Sequence, residues 1–112
     1  MQFARWLHLV LLIALRALPH ALRDTPAAAG TVVQLDVTGD AGGSWALVRT
    51  AAAWELQAGH TEAATSTLRI PDRLLGRVLF NAVPLEQALA GVEVRGEPAL
   101  ARAVLRTRAV VV

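Results

Sequence analysis

The residues able to do chemistry are few. The 112-residue chain has three His (His8, His20 and His60) and no Cys. Without Cys there is no disulfide, no thiolate metal ligand and no protein-borne thiol nucleophile, so any sulfur chemistry needs a thiol brought by a cofactor. The His show neither H-x-x-x-H nor H-E-x-x-H spacing. A zinc site needs three or four suitably spaced ligands, so this chain alone is expected to hold no metal. Ser44 and Ser66 lack a neighbouring base in any hydrolase motif. His60 lies in the polar run AGHTEA and reads as a solvated loop residue. His20, beside Arg23 at a helix end, reads as a ring that packs on the domain and bonds a carbonyl.

Arginine is the remaining candidate. All 11 basic groups are Arg, against 9 acidic ones, for a net charge of +2. Arg77, Arg95 and Arg102 are the candidate catalytic or ligand-binding arginines. Each could offer a planar fork to a carboxylate; the alternative reading of each is a solvated surface charge. No basic run occurs and aromatic residues make up 4% of the chain, so there is no nucleic-acid stripe.

The elements that would position such groups follow from periodicity. TVVQLDVTG alternates, with Val33, Leu35 and Val37 on one face and Gln34, Asp36 and Thr38 on the wet one. GDAGG (39–43) is a hairpin turn; its spacing fits neither phosphate-binding glycine motif. SWALVR, AWELQ and ATSTLRI continue the alternation. They place Trp45, Leu47, Trp54, Leu56, Leu68 and Ile70 inward. Trp45 and Trp54 are then core or cross-strand partners. Pro71 and Asp72 open a helix carrying Leu74, Leu75, Val78 and Leu79. PLEQALA is a short helix ended by Gly91, VEVRG a short strand, and EPALARAVLRTRAVVV a last helix with Leu100, Val104 and Leu105 toward the sheet. The expected class is α+β: an antiparallel sheet of about four to five strands with helices packed on one face, preceded by an N-terminal helix.

Residues 1–25 form a separate apolar segment ahead of the domain at 31–112. Leu11, Leu15, Leu18 and Leu22 make one stripe beside Arg16, His20 and Arg23, and Pro19 should kink or restart the helix. The run Leu9–Leu15 is shorter than the about 20 apolar residues of a spanning helix. With Arg5 and Ala27–Ala29 it also mimics a cleaved leader. Three readings stay open: a helix packed on the domain, a leader directing export, or a membrane-associated segment with contact through residues 6–18.

Leu18-Pro19-His20 with Arg23-Asp24, Gly39 with Gly42-Gly43 and Trp45, Trp54, and Gly96-Glu97-Pro98-Ala99-Leu100 occur in a defined order and spacing. Over about residues 16–112, that series resembles the C-terminal domain of the mycothiol-dependent maleylpyruvate isomerase family. The resemblance implies a sterol carrier protein-like α+β fold, normally fused to a DinB-like helical domain that holds a divalent metal, zinc, with mycothiol supplying the thiol. None of those metal ligands falls in this chain. The implied function is a non-catalytic accessory domain of a cytoplasmic isomerase or transferase-like protein of unknown substrate. Its partner would be the DinB-like domain or subunit, contacted through interface or structural residues Leu11, Leu15, His20, Arg23, Trp45 and Trp54. The alternative is a small hydrophobic-ligand module.

Overall fold

The computed structural model describes residues 2–61, 63–79 and 83–106. Two helices, α1 (Gln2–Arg16) and α2 (Leu18–Ala21), precede four strands: β1 (Val32–Thr38), β2 (Gly43–Arg49), β3 (Trp54–Ala58) and β4 (Ser66–Pro71). Then come α3 (Asp72–Leu79), α4 (Leu85–Ala90), β5 (Glu93–Gly96) and α5 (Pro98–Leu105). The break between α1 and α2 falls at Ala17, which places Pro19 in the first turn of α2, where a missing N–H is harmless.

The five strands form one sheet in the order β3-β2-β1-β4-β5. The α+β class, the strand number and the helix placement are as expected. The refinement lies in one pairing: β1 and β4 run parallel, with Leu35 opposite Leu68 and Asp36 opposite Arg69, while the other pairs are antiparallel. The chain leaves β3 at one edge and crosses over β2 and β1 to reach the far side of β1. A crossover, not a hairpin, therefore joins β3 to β4, and a crossover yields the parallel pair.

Alternation divides the sheet into two faces. Val33, Leu35, Val37, Trp45, Leu47, Trp54, Leu68 and Ile70 are buried on one of them. They share a single core with Leu7, Leu11, Leu15, Leu18 and Leu22 of the leading segment, Leu75 and Val78 of α3, and Ala101, Val104 and Leu105 of α5. The leading helix thus completes the same core as the sheet. The Leu79 side chain and the continuation of the last helix through 107–112 lie outside the described residues.

The β1–β2 turn is fastened from two sides. His8 Nδ1 of α1 donates to Ala41 O at 2.9 Å, and Ala41 N donates to Asp72 Oδ2 at 3.0 Å. Gly42 is obligatory there, because a Cβ would lie 2.0 Å from the Val37 carbonyl oxygen. Leu35 is fully buried at the centre of the middle strand. Leu35→Ala is expected to lower unfolding stability by about 2–5 kcal/mol, through lost burial and the cavity left behind. Urea denaturation should show a reduced midpoint with an unchanged slope.

Candidate functional site

An apolar concavity lies at the margin of the helix-covered face. There, α1 and α2 cross the β2–β3 end of the sheet and leave a groove of about 560 Å³. Leu12, Pro19, Trp45, Leu56 and Ala58 line it, with Arg16 and Glu55 also in the wall. The strand period aims Trp45, Leu56 and Ala58 to this side, since Trp45 pairs with Ala58 and Leu47 with Leu56 across β2 and β3. The indole of Trp45 is held by its surroundings: a Cβ on Gly43 would come within 2.7 Å of the ring, and the His8 ring lies 6.2 Å away, centroid to centroid. Trp54 is buried at the start of β3 and donates from Nε1 to Thr25 O at 3.4 Å, which ties the linker down. The groove has the size and apolar lining of a small-molecule site, with one cation for orientation.

A second concavity, about 370 Å³, runs between α1 and α3 and is lined by Phe3, Trp6, Leu7, Val10, Arg73, Gly76 and Arg77. It opens onto the outer side of α1, where Phe3, Trp6, Leu9 and Ile13 are exposed, by 42%, 59%, 55% and 72%. Arg73 stacks over the Phe3 ring at 4.9 Å.

The structure places several expected residues differently. Leu11 and Leu15 have no exposed surface, so they serve the core and cannot contact an outside partner. The outward apolar row is Phe3, Trp6, Leu9 and Ile13, because a helix apolar on both sides must bury one. His20 and Arg23 are exposed, and Arg23 donates to the backbone oxygen of His20 at 2.9 Å. The ring that bonds a carbonyl is that of His8. Arg77, Arg95 and Arg102 do not converge: Arg77 borders the α1–α3 groove, Arg102 is exposed on α5, and Arg95 projects from the opposite face of the sheet.

Residues Phe3–Ala21 could span a membrane by length and composition, but 28% of the segment is buried in the domain. Withdrawing it would expose the sheet core that Leu11, Leu15 and Leu18 cover. Among the described residues, no three His, Asp or Glu side chains come together as metal ligands.

Comparison with solved structures places this architecture. The fold is sterol carrier protein 2-like. Sterol carrier protein 2-like 2 from Aedes aegypti superposes with a TM-score of 0.62 at 14% identity, over 93% of this chain and 95% of that one. Its palmitated form in solution gives 0.60 at 18% identity, over 88% of each chain. Sterol carrier protein 2 from Yarrowia lipolytica, in its apo form, gives 0.53 at 16% identity, over 66% of this chain and 68% of that one. No family model matches the sequence, and no curated protein does either. At such identities the sterol carrier protein 2-like likeness is one of fold alone.

Leu12 and Leu56 carry the groove and were not singled out from the sequence. Their signal was present in part, since strand alternation pointed Leu56 inward, whereas Leu12 sits outside the stripe of fully buried leucines. His8 locks the helix that roofs the groove. His8→Ala is expected to lower stability by about 1 kcal/mol through loss of the bond to Ala41. Hydrogen exchange at the amides of α1 should accelerate more than exchange in β1.

Proposed function

We propose that this chain is a binding module for a ligand with a single apolar chain, seated in the groove between α1–α2 and the β2–β3 edge. The observation that carries this reading is the groove itself: about 560 Å³, walled by Leu12, Pro19, Trp45 and Leu56, with Arg16 beside it. That volume falls within the roughly 300–1,000 Å³ of small-molecule pockets. The palmitated state of a sterol carrier protein 2-like neighbour supports the ligand class. A fatty acid fits the chemistry, with its chain against the leucines and indole and its carboxylate toward the Arg16 guanidinium. The test is a titration with palmitate, read by tryptophan fluorescence. Saturable binding with one site per chain is expected. Leu12→Glu should weaken it at least tenfold, and Arg16→Gln should weaken palmitate more than hexadecanol. Binding that never saturates, or that ignores both substitutions, would sink this reading.

The second reading rests on the outward row Phe3, Trp6, Leu9 and Ile13, whose exposed aromatic and aliphatic side chains suit a covered interface. It makes the chain the accessory part of a cytoplasmic, mycothiol- and metal-dependent enzyme, with the row docked on a DinB-like helical domain that holds the zinc. Its expected outcome is co-purification, from the native cell, of a helical zinc-carrying protein that Trp6→Glu releases. Recovery of no such protein would remove it.

A further inference from the structure

The wet face of the sheet carries a basin, independent of both readings above. The crossover from β3 to β4 arches over this face and encloses this basin of about 420 Å³. Strand register builds its floor. Asp36 of β1, Arg69 of β4 and Glu93 of β5 lie opposite one another in one row, and Thr67 lies opposite Arg95 in the next. All five line the basin, and His60 overhangs it from the crossover.

The overhang is held in place. Gln34, fully buried, donates from Nε2 to Gly59 O at 3.2 Å and accepts from Thr61 N at 2.9 Å, so the residues on both sides of His60 are pinned. Asp36 Oδ1 accepts from Gln34 Nε2 and from Ser44 Oγ, each at 3.0 Å, and lies 3.7 Å from His60 Nδ1. Ser44 bonds the carboxylate and not the imidazole, so this is no nucleophile triad. The Asp36 charge is occupied by these donors. Arg69 and Arg95, by contrast, have no ion-pair or hydrogen-bond partner for their guanidinium groups among the described residues.

We propose that this basin binds the carboxylate of a small polar organic acid, held between the Arg69 and Arg95 guanidinium groups under the His60 ring. Two unpaired forks on neighbouring strands match a planar oxyanion. The Glu93 carboxylate, opposite Arg69, disfavours a second negative charge, which favours a monocarboxylate over a phosphate dianion. The Thr67 hydroxyl is placed to bond a polar substituent on the acid.

The test uses the full chain, isotope-labelled, and follows the Arg Nε–Hε and His60 ring signals by NMR during titration with lactate. Saturable movement of the Arg69, Arg95 and His60 signals is expected. Arg69→Gln and Arg95→Gln should each weaken binding roughly tenfold or more, from the loss of a charged hydrogen bond. Arg95→Lys should fall in between, and Arg102→Gln on α5 should change nothing. Both basin arginines are exposed, so the variants keep the fold, as the unchanged core amide spectrum would verify. Equal signal movement with sodium chloride, tighter saturation by inorganic phosphate than by lactate, or undiminished affinity in the double Gln variant would overturn the assignment.

Discussion

The Gln34 amide is the constraint around which the chain is arranged. It sits at the middle of the central strand, on the face that alternation assigns to water, and has no exposed surface. A buried amide is tolerated only when its donors and acceptor are used. Gln34 meets that condition by binding the crossover at Gly59 and Thr61 and the Asp36 carboxylate beside it. These bonds hold the segment from β3 down across β1. At the far end, Thr65 N donates to Val32 O at 2.8 Å, and Val32 N to Thr65 Oγ1 at 3.1 Å, which delivers β4 to its parallel seat. The polar network therefore fastens the crossover, while apolar burial on the other face supplies the stability.

The leading helix obeys a different logic. Its inner stripe is inseparable from the sheet, because Leu11, Leu15 and Leu18 are buried in one core with Leu35 and Leu47. Its outer stripe holds Trp6, Leu9 and Ile13 in solvent. Scattered apolar surface is ordinary, but four large side chains along one helix make a contiguous patch. Gly76 lies opposite Leu7, where a Cβ would sit at 3.7 Å, in ordinary contact, so the α1–α3 approach is close but not dependent on glycine. The Arg73 guanidinium covers only the Phe3 end of the patch, so most of it stays open to a partner or a lipid surface.

Much of the fold was legible because it rests on period. Strand alternation put Val33, Leu35, Val37, Leu68 and Ile70 inward, and the structure buries each of them. Pro71 and Asp72 marked the entry to α3, and Gly91 follows α4 directly. Long-range choices were not legible. Nothing local distinguishes a chain that turns back beside β3 from one that crosses the sheet, so the sequence pattern alone suggests a sheet that is antiparallel throughout. The burial of Gln34 was invisible for the same reason: its cover comes from 25 and 27 residues away. The carbonyl bond expected of His20 is made by His8, because the position of the β1–β2 turn decides which ring meets a carbonyl. Arg95 was named for its fork, but its neighbour Arg69 looked like any outward strand residue, since cross-strand register is a tertiary fact.

The groove and the basin lie on opposite faces of the sheet and answer to different forces. β1 carries Leu35 into the apolar core and Asp36 into the polar basin, and β2 likewise sends Trp45 to one side and Ser44 to the other. The groove depends on helix packing, so a ligand there gains from apolar contact and loosens if α1 lifts. The basin depends on the crossover, pinned by hydrogen bonds that do not involve α1. Energetic coupling between sites requires a shared element with two arrangements that both ligands bias. A strand clamped between neighbours on both sides is a poor candidate for such an element, as its residues cannot shift register without turning Leu35 and Asp36 to the wrong faces. The groove draws its strand lining from β2 and β3 and the basin from β1, β4 and β5, so the two proposed ligands would meet different strands of one rigid sheet.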